Sequence, residues 1–132
     1  MKLCYILIPV ILLFNQTVIG QVTTTEEPKT MAQEMPIYPG GDAAMSRDIG
    51  ENLKYPKKEK RKNIEGKVYV QFVVEKDGSV SNVKVLRGIP NGPGLNETAL
   101  NAIKNLKNFT PAKIDGEPVR LTMTVPINFK LN

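Results

Sequence analysis

Arg120-Leu121-Thr122-Met123-Thr124-Val125-Pro126-Ile127-Asn128-Phe129-Lys130-Leu131 alternates apolar and polar residues without a fault. Leu121, Met123, Val125, Ile127, Phe129 and Leu131 fall on one side, and the polar residues with Pro126 on the other. A period of two is the mark of a strand with one buried and one wet face. Pro126 adds a constraint. Proline has no N–H to give to a ladder, so it is confined to edges, strand starts and bulges. The N–H and C=O of one strand residue point to the same side, and neighbours alternate. If Pro126 points its missing donor away from the sheet, the backbone groups of Thr122, Thr124, Asn128 and Lys130 face outward with it.

Working upstream, Lys67–Glu75 reads as a first strand, with Val68, Val70, Phe72 and Val74 on one face. Lys76-Asp77-Gly78-Ser79 is a hairpin signal, and Val80–Arg87 is the return strand. A Gly/Pro loop over 88–94 leads to Asn96, placed to cap a helix over Glu97–Lys107. Its stripe is Leu95, Ala99, Ala102, Ile103 and Leu106. Pro111 prevents its continuation, and Asp115-Gly116 turns the chain again. Before the first strand, Asp42 is placed to cap a short amphipathic helix over Asp42–Asn52, and Pro56 opens a basic helical turn over Lys57–Asn63. The hairpin makes strands one and two antiparallel, and the helix returns the chain. Strand three can stay antiparallel to a neighbour only beside strand one. The expectation is an α+β domain with a three-stranded antiparallel sheet of order 2-1-3, helices packed on its apolar face and strand three on an edge. An open edge is normally a liability. Pro126 and Lys130 fit a protected edge, and strand addition fits a used one.

The 132 residues hold enough apolar side chains, 41%, for a single aliphatic core, with no Trp. There is no His, and Cys4 is the one cysteine. Cys/His zinc sites and His-activated nucleophiles therefore have no ligands or base, and a disulfide within one chain has no second thiol. Asp77, Glu97, Asp115 and Glu117 sit at turns and helix starts, where a carboxylate serves as turn former or helix-start charge. The expectation is a non-enzyme without cofactor or metal.

Residues 1–20 read as an export signal: Lys2, the apolar run Leu3–Phe14, then Val18-Ile19-Gly20 before a cut at Gln21. The alternative is a retained anchor over residues 3–20, although the run is short for a span. Residues 21–36, polar and Thr-rich, read as a disordered linker reaching about 50 Å at full stretch; residues 37–132 form the domain. The net charge of +5 is concentrated in Lys54, Lys57, Lys58, Lys60, Arg61, Lys62 and Lys67. This stretch is either a solvated helix face or a surface for an anionic envelope polymer. Nucleic acid is not an expected partner, because no aromatic residues interleave with the basic ones.

The ordered segments together resemble the TonB C-terminal domain family. They are Tyr55-Pro56, Ile64-Glu65-Gly66-Lys67-Val68-Tyr69-Val70-Gln71-Phe72-Val73-Val74, Asp77-Gly78-Ser79-Val80, Val83-Lys84-Val85-Leu86, Leu95-Asn96-Glu97-Thr98-Ala99-Leu100, Pro111-Ala112, Gly116-Glu117-Pro118-Val119 and Val125-Pro126-Ile127-Asn128-Phe129. The resemblance covers about residues 36–131. Tyr38-Pro39-Gly40-Gly41 is similar to an extension of the Bacteroidota-type members, and Phe109 stands where many relatives carry Trp. The resemblance implies a periplasmic module that engages the TonB-box segment of an outer-membrane TonB-dependent receptor by strand addition to its last strand. It places the contact on the edge backbone from Arg120 to Lys130, through Arg120, Thr122, Thr124, Asn128 and Lys130. Tyr55 lies nearby, with Asn52 as a polar contact. Family energy transducers carry a retained anchor and a long spacer. The cleavable segment and short linker here favour a binding module in the periplasm over an inner-membrane-anchored transducer facing it.

Overall fold

A computed structural model describes residues 26–131. The export-signal or anchor reading of residues 1–20 and the first part of the expected linker, 21–25, lie outside the described residues. The elements in chain order are α1 (Gly41–Glu51), α2 (Lys57–Arg61), β1 (Gly66–Val74), β2 (Val80–Arg87), α3 (Pro93–Lys104), β3 (Ala112–Ile114), β4 (Glu117–Val119) and β5 (Leu121–Phe129).

The main sheet has the order β2-β1-β5, both pairs antiparallel. This is the expected 2-1-3 arrangement, with β5 as the last strand and on an edge. The apolar face predicted for β1 is the buried one: Val68, Val70, Phe72 and Val74 have no exposed surface. Leu95, Ala99, Ala102 and Ile103 of α3 join them in the core, as do Ile127 and Phe129 of β5. Phe109 ties three parts together, edge-on to Tyr38 at 5.1 Å between centroids and tilted against Phe72 at 6.1 Å.

The hairpin forms where Asp77-Gly78 signals it. Gly78 donates to the Glu75 carbonyl at 2.8 Å, and Asp77 Oδ1 accepts from the Ser79 N–H and hydroxyl. Gly78 has φ +89°. A Cβ there would stand 1.9 Å from the Phe109 carbonyl oxygen, so only glycine lets Phe109 close on the hairpin.

Two capping expectations are corrected. Gly40, not Asp42, holds the N-cap position of α1. Gly40 and Gly41 both take positive φ, which tightens the turn after Tyr38 and starts the helix earlier. Asp42 instead contributes its charge to the first turn. Likewise α3 begins at Pro93, not after Asn96, and ends at Lys104. Proline suits the first helical turn because its missing N–H is unpaired there anyway. The Gly94 N–H is taken by Glu59 of α2, 2.8 Å away and buried. Asn96 uses its side chain to close the preceding loop, accepting from the Ile89 N–H at 2.8 Å and donating to the Ile89 carbonyl at 3.2 Å.

Asp115-Gly116, read only as a turn, makes a small second hairpin of β3 and β4. Both residues take positive φ, 52° and 81°. That is the two-residue hairpin geometry which Asp-Gly favours.

Candidate functional site

The two edges of the main sheet differ. Along β2 the pairing with β1 slips twice, between Tyr69 and Val70 and between Gln71 and Val73, and Asn82 takes φ +49°. Bulges of this kind blunt an edge against further pairing. Along β5 the register with β1 runs unbroken from Gly66↔Phe129 to Val74↔Leu121. A regular edge is the one that can template another strand.

Pro126 stands opposite Tyr69, which makes this a pair without ladder bonds. By alternation the pairs Val73↔Thr122, Gln71↔Thr124 and Lys67↔Asn128 are of the same kind. The backbone groups of Thr122, Thr124 and Asn128 therefore point away from β1. One of these can be checked against a partner: the Thr122 N–H donates outward to the Lys29 carbonyl at 2.8 Å.

That partner belongs to the segment expected to be a disordered linker. From residue 26 onward the expectation is corrected, because the segment lies against the domain as a strap. Lys29 bridges Leu121 in parallel fashion, its own N–H donating to the Arg120 carbonyl at 2.9 Å. Glu34 exchanges two backbone bonds with Lys113, and Ile37 two with Thr110. Gln33 bonds Asp115 through the Asp115 N–H, at 2.7 Å. The polar composition hid this, since the strap is held by backbone groups. Pro118 opposite Lys113 leaves the Lys113 groups facing outward in the same way that Pro126 does for β5.

Of the expected contact residues, Arg120 and Thr122 are thus engaged within the chain. The Arg120 guanidinium grips Glu75 from two nitrogens, at 2.6 and 3.1 Å, and also donates to the Glu26 carbonyl. The Arg120 hydrogen bonds hold the Glu75 carboxyl below the usual carboxylate range, against its partial burial, with Ser81 adding a further bond. Thr124 and Asn128 are exposed, and among the described residues nothing bonds their outward backbone groups. Lys130 is exposed and shares an open recess of about 460 Å³ with Tyr55, Lys60, Asn63 and Leu131. The Tyr55 ring meets Phe129 edge-on at 5.9 Å, and its hydroxyl donates to the Ile64 carbonyl. Burial raises the Tyr55 phenol above its ordinary value. Asn52 follows α1 as its C-cap and donates to the Asp48 carbonyl at 2.9 Å; among the described residues none of its hydrogen bonds reaches β5. The structure therefore brings Tyr55 and Lys130 together at one end of β5, while the side chain of Asn52 is used within α1.

Among the described residues no group of His, Cys, Asp and Glu is placed to hold a metal ion, and no helix is long and apolar enough to cross a membrane. The basic residues Lys54, Lys57, Lys58, Lys60, Arg61, Lys62 and Lys67 are all exposed.

The family model described as "Gram-negative bacterial TonB protein C-terminal" matches residues 51–131, which include the whole main sheet. The chain belongs to the TonB C-terminal domain family. It is 37% identical over 82 residues to a protein TonB of Helicobacter pylori strain J99, covering 62% of this chain and 28% of that one. The protein TonB of H. pylori strain 26695 matches at 34% over the same length and the same shares. The chain thus spans under a third of the length of these relatives. Two solution structures of the H. pylori TonB C-terminal domain share the fold, each with a TM-score of 0.50 and 31% identity over 67% of this chain. They are covered to 78% and 90% of their own lengths. The TonB C-terminal fold is the α+β arrangement described above.

Proposed function

We propose that this chain is a periplasmic binding module of the TonB type. It engages an extended, TonB-box-like segment of an outer-membrane receptor by strand addition to β5, as part of TonB-dependent transport. The observation that carries this reading is the outward backbone of Thr124 and Asn128, unpaired among the described residues, on a strand in unbroken register. Main-chain hydrogen bonds along such an edge supply affinity, and neighbouring side chains supply selectivity. The recess of Tyr55, Lys60, Asn63 and Lys130 lies where an added strand would end. It offers two ammonium groups to a carboxylate on the partner.

The same reading favours a binding module over a force-transmitting one. The strap fastens residues 29–37 to the domain, which removes half of the expected linker, residues 29–36 of 21–36, from any spacer.

The test is affinity for synthetic peptides copied from the N-terminal plug segments of outer-membrane receptors encoded in the same genome. Thr124→Pro deletes an outward donor while the β1 ladder, which does not use that N–H, stays intact. At least a tenfold loss of affinity, by titration calorimetry, supports strand addition; that is about 1.4 kcal/mol. Unchanged affinity for a peptide that binds the parent chain overturns it.

A further inference from the structure

The strap is fastened unevenly. From residue 33 to 38 it is held by four backbone hydrogen bonds to Thr110 and Lys113, by Gln33 on Asp115 and by Tyr38, which is buried in the core. Tyr38 also donates its hydroxyl to Asp48 at 2.6 Å and accepts from the Lys107 N–H at 3.1 Å. From residue 26 to 31 the anchorage is slight. The backbone makes one isolated bridge, at Lys29, and the Glu26 carbonyl accepts one bond from the Arg120 guanidinium. The Glu26–Lys76 ion pair is more than half exposed at both ends, and such pairs contribute little. Met31, between the two parts, is 75% exposed.

The weak end is the part that sits on β5. It takes the Arg120 carbonyl and the Thr122 N–H, two of the groups an added strand would use. The open remainder, from Thr124 to Lys130, is about 20 Å long.

We propose that residues 26–31 are a displaceable occupant of the docking edge, a segment of this chain that competes with the partner strand for Arg120 and Thr122. The inference rests on the strand-addition reading above. A short partner strand lies beside Thr124–Lys130 with the strap in place. A longer one must peel residues 26–31 away from the edge, and the hinge at Met31-Ala32 leaves residues 33–38 where they are. Affinity for a long segment is then reduced by the fraction of time the strap is closed, which makes the N-terminal segment a regulator of the edge.

Lys29→Pro in the full chain separates the two ends of the strap. Its ring would occupy the space filled by the Arg120 carbonyl oxygen, which ejects the segment from β5 without touching the Glu34 and Ile37 bridges. Amide hydrogen exchange read by NMR reports the strap directly. In the parent chain the Thr122 amide should exchange at least tenfold more slowly than those of Thr124 and Asn128. In Lys29→Pro it should exchange as fast as they do, while the Thr110 amide, paired with Ile37, keeps its protection. A Thr122 amide as fast as Thr124 in the parent, or unchanged in the variant, overturns the inference. So does joint loss of protection at Thr110, which would show one inseparable strap. The receptor plug peptides supply the second readout. Lys29→Pro should bind a long peptide about tenfold more tightly than the parent does. If Thr124→Pro abolishes binding but Lys29→Pro leaves it unchanged or weaker, strand addition stands and competition by the strap fails. If Thr124→Pro has no effect on peptide binding, the strand-addition reading itself fails.

Discussion

Pro126 faces Tyr69 across the β1–β5 ladder, in a pair that makes no ladder bonds. The proline sits where β1 asks nothing of it, and its missing N–H is missing only from the open edge. It interrupts the row of outward donors between Thr124 and Asn128, which limits how well two copies of this edge can pair with one another.

Pro126→Ala should therefore restore an outward donor at little cost to the fold. Stability is expected to change by less than about 1 kcal/mol, because the β1 ladder is unaltered. Self-association should rise, and sedimentation velocity across a concentration series checks this.

Arg120 and Glu75 join the start of β5 to the end of β1. Both side chains are more than two thirds covered, so Arg120→Ala should lower the midpoint of denaturant unfolding. The pH dependence has a fixed sign. The folded-state value of the Glu75 carboxyl is lowered, so its contribution is fully present above the unfolded value of about 4.3. It is lost as the pH falls below that, through the lower folded value. Unfolding measured between about pH 5 and about pH 3 should show part of this acid destabilisation disappear in Glu75→Gln.

Gly78→Ala places a methyl group against the Phe109 carbonyl and in a positive-φ conformation. A loss of about 2–4 kcal/mol is expected from clash and strain together. Thermal melts that match the parent within error would contradict the tight closure of Phe109 on the hairpin.

Glu59 is a buried carboxylate in an otherwise basic helical turn. It serves α3 by accepting the Gly94 N–H. Glu59→Ala should destabilise by about 1 kcal/mol, because the half-buried Gly94 N–H loses its partner. Glu59→Gln, which keeps an acceptor oxygen, should cost less, as denaturant midpoints will show.

The sheet was legible because its signals are local and periodic. The alternation over Arg120–Leu131, the Val68-to-Val74 face and Asp77-Gly78 each specify their own geometry, and Pro126 carries the edge position. What was missed depends on groups that have no periodicity. Glu59 in a Lys-rich stretch looks like one more surface charge until Gly94 is brought beside it. Asn96 looks like a helix cap, but Pro93 can start the helix earlier and releases Asn96 for the Ile89 loop. The strap was hidden for a different reason: it is polar in side chains and held by its backbone, and composition cannot report which backbone groups find partners. The contact expected from Arg120 to Lys130 was thus legible in its direction but not in its free extent, because Lys29 covers one end.

The central claim is that a partner strand adds to β5 beyond the strap. Amide hydrogen exchange of the full chain with and without a receptor plug peptide tests it most directly. The account predicts that the Thr124 and Asn128 amides slow by about tenfold or more on binding, with β2 unchanged, as expected for new main-chain bonds. Protection that appears along β2 or elsewhere, while Thr124 and Asn128 exchange as before, would contradict it.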